Sequence, residues 1–198
     1  MDLQKQDVTE LYQPPQSTAL PTRDVALPSF YIVSKRKFFL LFIATFSFYS
    51  LYWFWRQWTE WQNKTGENIW PLARALFNIF FAHSLFKKIE TKASLVDSRS
   101  HKNLDIAATI YVIVELAFNL MDKIPMIGVV YLALTVSFVC LLSGCVWQAQ
   151  TQANIASFDS DGRQNDKFTV ANYIWIALGL LFWMIIIFGA LSYAYTVY

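Results

Sequence analysis

The residues best suited to chemistry in this 198-residue chain share one side of a single apolar segment, 104–121. Polar side chains recur there every three or four positions, the spacing that places residues on one face of a helix. That face consists of Asp105, Ala108, Val112, Glu115, Asn119 and Asp122. An unpaired charge deep in a bilayer costs roughly 3 kcal/mol or more, so a membrane-embedded Glu115 must be paired, protonated or in contact with water.

Arg74 is the best candidate partner for Glu115, and Asn78 lies one helical turn further along the same face as Arg74. Two hypotheses follow for this polar group. In the first, it is a structural ion pair or hydrogen-bonded cluster that fixes helix packing. In the second, it is a protonatable site or the lining of an ion path.

Sequence motifs of known enzymes are missing. The chain has no phosphate-binding glycine-rich loop, no HExxH and no GxSxG. Its two histidines, His83 and His101, have no cysteine or carboxylate at the spacing of a metal site. We therefore predict a protein that is not an enzyme and that uses no metal or cofactor.

The composition is that of an integral membrane protein. Hydrophobic residues make up 56% of the chain and charged residues only 15%, whereas about a quarter of an average soluble domain is charged. A disordered protein would need the opposite balance. The net charge of +2 and the lack of a basic stripe exclude nucleic acid as an expected partner.

Five apolar segments predict an all-α membrane protein of about five hydrophobic helices, four or five of them transmembrane. The segments are 38–55, 70–86, 104–121, 124–147 and 173–195. The second contains Arg74, Asn78 and His83, so it crosses the bilayer, re-enters from one side or lies in the interface. We expect a flexible cytoplasmic tail over 1–29 and a single transmembrane helical domain over 30–198.

The distribution of Lys and Arg orients the chain with its amino terminus in the cytoplasm and its carboxyl terminus outside. With five crossings, only Arg56, Lys64 and Lys123 of the loop cations lie outside. With the first two segments as a hairpin that dips in and returns, only Lys123 does. We prefer five crossings because 38–55 is long enough to span.

Two further groups of residues are expected to serve the membrane-embedded fold. Tryptophans at the end of the first segment predict an aromatic belt at the headgroup level: Trp53, Trp55, Trp58 and Trp61. Small residues at helical spacing predict close helix packing, within the chain or between copies: Ala133, Ser137, Cys140 and Gly144 in the fourth segment, with Gly179 in the fifth.

Several aromatic runs resemble those of a group of small bacterial inner-membrane proteins of unknown function. The runs are Lys37–Ile43, Tyr49–Trp58, Arg74–Phe86 and Phe168–Trp183, with Leu-Tyr-Trp-Phe at 51–54 near the end of the first segment. The resemblance covers about residues 30–195 and implies a bacterial source and a location in the inner membrane. It implies nothing about activity.

The sequence therefore favours a protein that acts through helix–helix contacts, as an accessory, regulatory or immunity-type partner. Its expected partners are the lipid bilayer and either a second membrane protein or another copy of itself. The alternative is a small oligomeric channel or transporter that uses the Asp105, Glu115 and Asn119 face.

Overall fold

The structure, a computed structural model, describes residues 29–98, 102–121, 123–124 and 127–196, the last four without side-chain detail. Within this part of the chain the secondary structure is entirely helical, as predicted, but there are seven α helices instead of about five. They are α1 (Lys35–Ala44), α2 (Tyr49–Thr65), α3 (Pro71–Leu76), α4 (Asn78–Val96), α5 (Asp105–Met121), α6 (Gly128–Ala156) and α7 (Val170–Thr196). The predicted tail, apart from Ser29, lies outside the described residues, as do His101 and Asp122.

The prediction of one continuous helix over 38–55 is wrong. The chain turns back between α1 and α2, where Phe46 and Ser47 have φ angles of 54° and 69°. These left-handed conformations are uncommon outside glycine. The Thr45 hydroxyl accepts a hydrogen bond from the Tyr49 backbone N–H at 3.0 Å and donates one to Leu41 O at 2.7 Å, so a single side chain joins the two helix ends.

The second apolar segment is also broken in two. Pro71 occupies the first turn of α3, a position that needs no N–H donor. Phe77 then separates α3 from α4, with φ −101° and ψ 38° outside the helical region. Segment 70–86 is therefore divided between two helices that meet at a bend, and it does not form one straight helix.

The other three apolar segments form single helices close to the predicted positions. Of these, α6 and α7 are long and apolar enough to cross a membrane. The α6 helix packs against α1, α4, α5 and α7 and forms the centre of the fold. Its second half is largely buried, whereas α7 is mostly exposed along its length.

The helices α4 and α5 run antiparallel. His83 Nε2 lies 3.1 Å from Thr109 Oγ1, and further along α4 the Glu90 carboxylate accepts the Leu104 N–H at 3.0 Å. A carboxylate at the start of a helix satisfies a free N–H and interacts favourably with the helix dipole. Glu90 thereby fixes where α5 begins.

The contact between α1 and α7 leaves no room for a side chain at Gly179. A Cβ atom there would lie 2.1 Å from Ala44 O, whereas one at Gly189 on the same helix would meet nothing within 4 Å. The predicted packing role of Gly179 is thus placed within the chain, at the end of α1.

We expect Gly179→Ala to lower the free energy of unfolding by about 1–3 kcal/mol, because the new methyl group forces the two backbones apart. Gly189→Ala is the matched control and should leave stability unchanged or slightly higher, since alanine favours helix. Thermal unfolding in detergent micelles measures both. Equal melting temperatures for the two variants would contradict the close contact.

Candidate functional site

An extended segment, residues 30–33, lies buried between α2 and the carboxyl-terminal half of α6. Phe30 and Val33 are fully buried, and Tyr31 and Ile32 are nearly so. Buried backbone groups must find hydrogen-bond partners. Here the partners come mainly from four buried side chains, which we call the amide clamp: Gln57, Gln150, Asn154 and Ser157.

The centre of the clamp holds Tyr31. Gln57 accepts the Tyr31 N–H at 3.0 Å and donates to Tyr31 O at 3.2 Å, as one strand does to another. Gln150 donates to the same carbonyl at 3.0 Å. The two glutamines also bond to each other at 3.0 Å, and the Trp53 indole N–H donates to Gln150 Oε1.

The flanking residues of the segment are held in the same way. Asn154 accepts the Val33 N–H at 3.3 Å and donates to Val33 O at 3.0 Å. The Ser157 hydroxyl accepts the Phe30 N–H at 3.0 Å and donates to Phe30 O at 3.1 Å. Gln150 also donates to Asn154 at 2.6 Å, which links the clamp residues of α6 to one another. The clamp therefore positions backbone: its three amides and the Ser157 hydroxyl are all bonded to the segment or to one another.

The segment is covered on its other side by the loop between α6 and α7. Gly162 has φ 70°, and a Cβ atom there would lie 2.3 Å from Val33 O. Asn165 donates to Ile32 O at 2.8 Å and to the Tyr31 hydroxyl at 2.9 Å. Ser34 Oγ donates to Asp166 at 2.7 Å.

A polar cavity of about 380 Å³ opens beside Tyr31. Its wall includes two cations, Lys37 and Arg56, and one carboxylate, Glu60. Arg56 is paired with Glu60 and lies over the Tyr31 ring at 5.4 Å. Burial raises the pKa of the Tyr31 phenol, so it remains a neutral group at physiological pH.

Lys37 is only 3% exposed. Its ammonium donates to Asn165 Oδ1 and to Lys167 O, both at 2.7 Å. Among the described residues no carboxylate lies within ion-pair distance of it. Burial lowers the pKa of this ammonium, and its two hydrogen bonds leave one of its three N–H donors for a further acceptor.

The structure does not bring Arg74 and Glu115 together. The Arg74 guanidinium lies over the Trp58 ring at 4.4 Å and the Phe81 ring at 5.2 Å. Glu115 instead accepts the Tyr111 hydroxyl at 3.0 Å within its own helix. The predicted Glu115–Arg74 contact is therefore wrong.

The rest of the predicted polar group is scattered. Asp105 and Asn119 are exposed, and the Asn119 amide donates to the Glu115 backbone carbonyl at 2.7 Å. Asn78 is buried at the start of α4. No groups of three or more His, Cys, Asp or Glu residues that could hold a metal occur in the described ranges.

The predicted aromatic belt needs correction. Trp53 and Trp58 are fully buried and Trp61 is 7% exposed, while Trp55 is 36% exposed. Buried rings cannot contact lipid headgroups, so of these four tryptophans Trp55 alone could form part of an aromatic belt. The other three belong to the core between α2 and its neighbours. The Lys88 ammonium lies over the Trp61 ring, 4.4 Å from its centre.

The small residues of α6 form an exposed face within this chain. Ala133, Ser137 and Cys140 are exposed, and a Cβ atom at Gly144 would meet nothing within 4 Å. The buried side of the helix carries larger residues such as Val139 and Leu142. Packing within the chain is thus wrong for this group, and packing between chains stays a prediction.

Sequence reasoning missed the amide clamp, although a signal for it was present. Gln150, Asn154 and Ser157 recur at helical spacing on one face, but polar residues at the end of a helix are typical of a solvent-exposed surface. A buried segment with no pairing strand was not foreseeable. No protein-family model, curated protein or solved structure matches the chain.

We expect Gln150→Leu to lower the free energy of unfolding by about 2–3 kcal/mol, because it leaves the buried Trp53 N–H without an acceptor and removes one bond to Tyr31. Gln148→Leu is the matched control, since Gln148 is exposed on the same helix, and it should change stability by less than about 0.5 kcal/mol. Chemical unfolding in detergent gives both values. Equal free energies of unfolding for the two variants would show that the clamp does not stabilise the fold.

Proposed function

We propose that the chain is a multi-pass protein of a bacterial inner membrane that acts by contact, as an accessory, regulatory or immunity-type partner, and not as an enzyme. The observation that carries the proposal is the exposed small-residue face of α6. Small residues allow another helix to approach closely, yet in the described part of the chain no other element comes within 4 Å of a Cβ atom placed at Gly144. A helix surface that contacts only lipid does not require small residues at this spacing.

The proposed topology has three crossings, α5, α6 and α7, with both chain ends placed as the Lys and Arg distribution predicts. The α1–α2 pair would be a re-entrant hairpin. Its turn residue Phe46 contacts Phe182 and Trp183 at 5.2 and 5.0 Å between ring centres, about 20 Å along α7 from its first residue. The return of α2 brings Gln57 back to Tyr31, on the side from which α1 started.

The α3–α4 pair would be a second, shallower hairpin. Gln62 of α2 donates to Ile69 O just before α3, and Glu90 near the end of α4 contacts the start of α5. Both ends of the pair then lie on the cytoplasmic side. In this topology Lys123 is the only Lys or Arg outside, which satisfies the charge rule better than five crossings do.

Single-cysteine labelling separates the two topologies. In a background with Cys140→Ala and Cys145→Ala, we expect a membrane-impermeant maleimide on intact cells to label Lys123→Cys but not Lys64→Cys. Lys92→Cys is the control, which both topologies place inside and which should react only after permeabilisation. Labelling of position 64 from outside would restore five crossings.

The contact proposal is tested by purification from native membranes in mild detergent, with mass determination of everything that elutes. We expect a stoichiometric second protein with the wild-type chain and its loss with Gly144→Leu, because the larger side chain separates the helices. Ala177→Leu, on the exposed side of α7, is the control and should retain the partner. A second protein that survives Gly144→Leu would place the contact elsewhere, and a lone monomer would contradict the proposal.

A small oligomeric channel or transporter is the second candidate. Its support is Glu115, which is partly buried and pairs with no cation in the described part of the chain. A homogeneous oligomer with nothing attached would favour it. Glu115→Gln is then the deciding variant. Loss of flux in a folded variant would show that transport requires the carboxylate.

A further inference from the structure

An apolar groove of about 350 Å³ adjoins the polar cavity beside Tyr31. It lies between α1, α2 and the first turns of α7. Tyr52, Thr169 and Asn172 line both the cavity and the groove, so the two lie side by side. The rest of the groove wall consists of Leu41, Thr45, Phe48, Tyr49, Leu51, Ala171 and Trp175.

The residues of the loop before α7 and of its first turns line first the polar part and then the apolar part. Gln164 and Asn165, in the loop before α7, line the polar part only. Thr169 and Asn172 line both parts, and Trp175 lines the apolar part only. A ligand that fills both has a polar end beside the loop and an apolar end alongside α7, one of the two helices long and apolar enough to cross a membrane.

The charges of the polar part favour an anion. Lys37 and Arg56 face a single carboxylate, Glu60, in the cavity wall. Asp166 also acts on Lys37, but its carboxylate accepts the Ser34 hydroxyl and is not part of the wall. In addition, Arg56 bonds Glu60 through Nη2, and a guanidinium carries further N–H donors of the kind that commonly bind phosphate.

We infer that the cavity and groove together bind one anionic phospholipid from the cytoplasmic leaflet, with the phosphate between Lys37 and Arg56 and an acyl chain in the groove beside Trp175. A soluble phosphate would use the polar part alone. The adjoining apolar groove is what favours a lipid over a free anion, because an acyl chain can pack against its apolar side chains whereas an inorganic phosphate has no group to place there. This site is separate from the small-residue face of α6: it rests on the proposed membrane location and topology, but not on contact with a protein partner.

The test is retention of lipid by the purified full-length protein. The protein is reconstituted in nanodiscs of phosphatidylcholine with a minor fraction of phosphatidylglycerol, released into mild detergent and weighed by native mass spectrometry. We expect about one phosphatidylglycerol per chain. Arg56→Gln should weaken retention about tenfold, the effect of losing one charge-assisted hydrogen bond, whereas Lys64→Gln, an exposed cation on the same helix, should have no effect.

Two further variants test the groove and the charge balance independently. Ala171→Trp fills the groove and should reduce retention several-fold, while Ala177→Trp, exposed on α7 outside the groove wall, should not. Glu60→Gln removes the competing carboxylate and should increase retention. These positions keep the test valid even if Arg56→Gln fails to fold.

Three results would overturn the inference. One is equal retention of phosphatidylcholine and phosphatidylglycerol by the wild-type protein. Another is retention that none of the cavity or groove variants alters. The third is binding of inorganic phosphate that requires Arg56 without any retained lipid, which would make the cavity a site for a free anion.

Discussion

The fold depends on how the backbone of residues 30–33 is satisfied without a pairing strand. The four clamp side chains take the place of a neighbouring strand. Gln57, Asn154 and Ser157 each donate to and accept from the segment, whereas Gln150 donates to it and accepts from Trp53 and Gln57. Unpaired buried amides cost a few kcal/mol each, so such a network is stable only when every member is bonded. Because the clamp residues come from two distant parts of the chain, the segment ties α2 to α6 and sets where α1 begins.

The second constraint is the turn between α1 and α2. Two non-glycine residues, Phe46 and Ser47, adopt positive φ angles there, a strain that surrounding contacts must offset. The Thr45 bridge and the rings packed around Phe46 supply those contacts. The same turn sends α2 back beside α1, and the space between α1, α2 and α7 becomes the apolar groove. The backbone strain and the proposed lipid site therefore have one structural origin.

Clamp, loop and cavity occupy one end of the molecule, and the exposed apolar faces of α5 and α7 occupy the rest. In the proposed topology the first end would face the cytoplasm and the apolar faces would contact lipid. In the proposed topology a bound anionic lipid would join the two, because its headgroup would contact the loop before α7 and its chain would follow α7. Contact with a protein partner would use the outer part of α6, away from this region.

The sequence by itself determined the helical class, the positions of α5, α6 and α7, and the apolar character of the chain, because hydrophobic runs and helical periodicity are local properties. It could not show that 38–55 and 70–86 are bent, since the turns at Phe46 and Phe77 contain no glycine or proline to mark them. It also could not separate buried from exposed tryptophans, or show that Arg74 contacts Trp58 and not Glu115. Those outcomes, like the clamp formed by Gln57 and Gln150, were decided by tertiary structure, because only packing brings residues 93 positions apart within hydrogen-bonding distance.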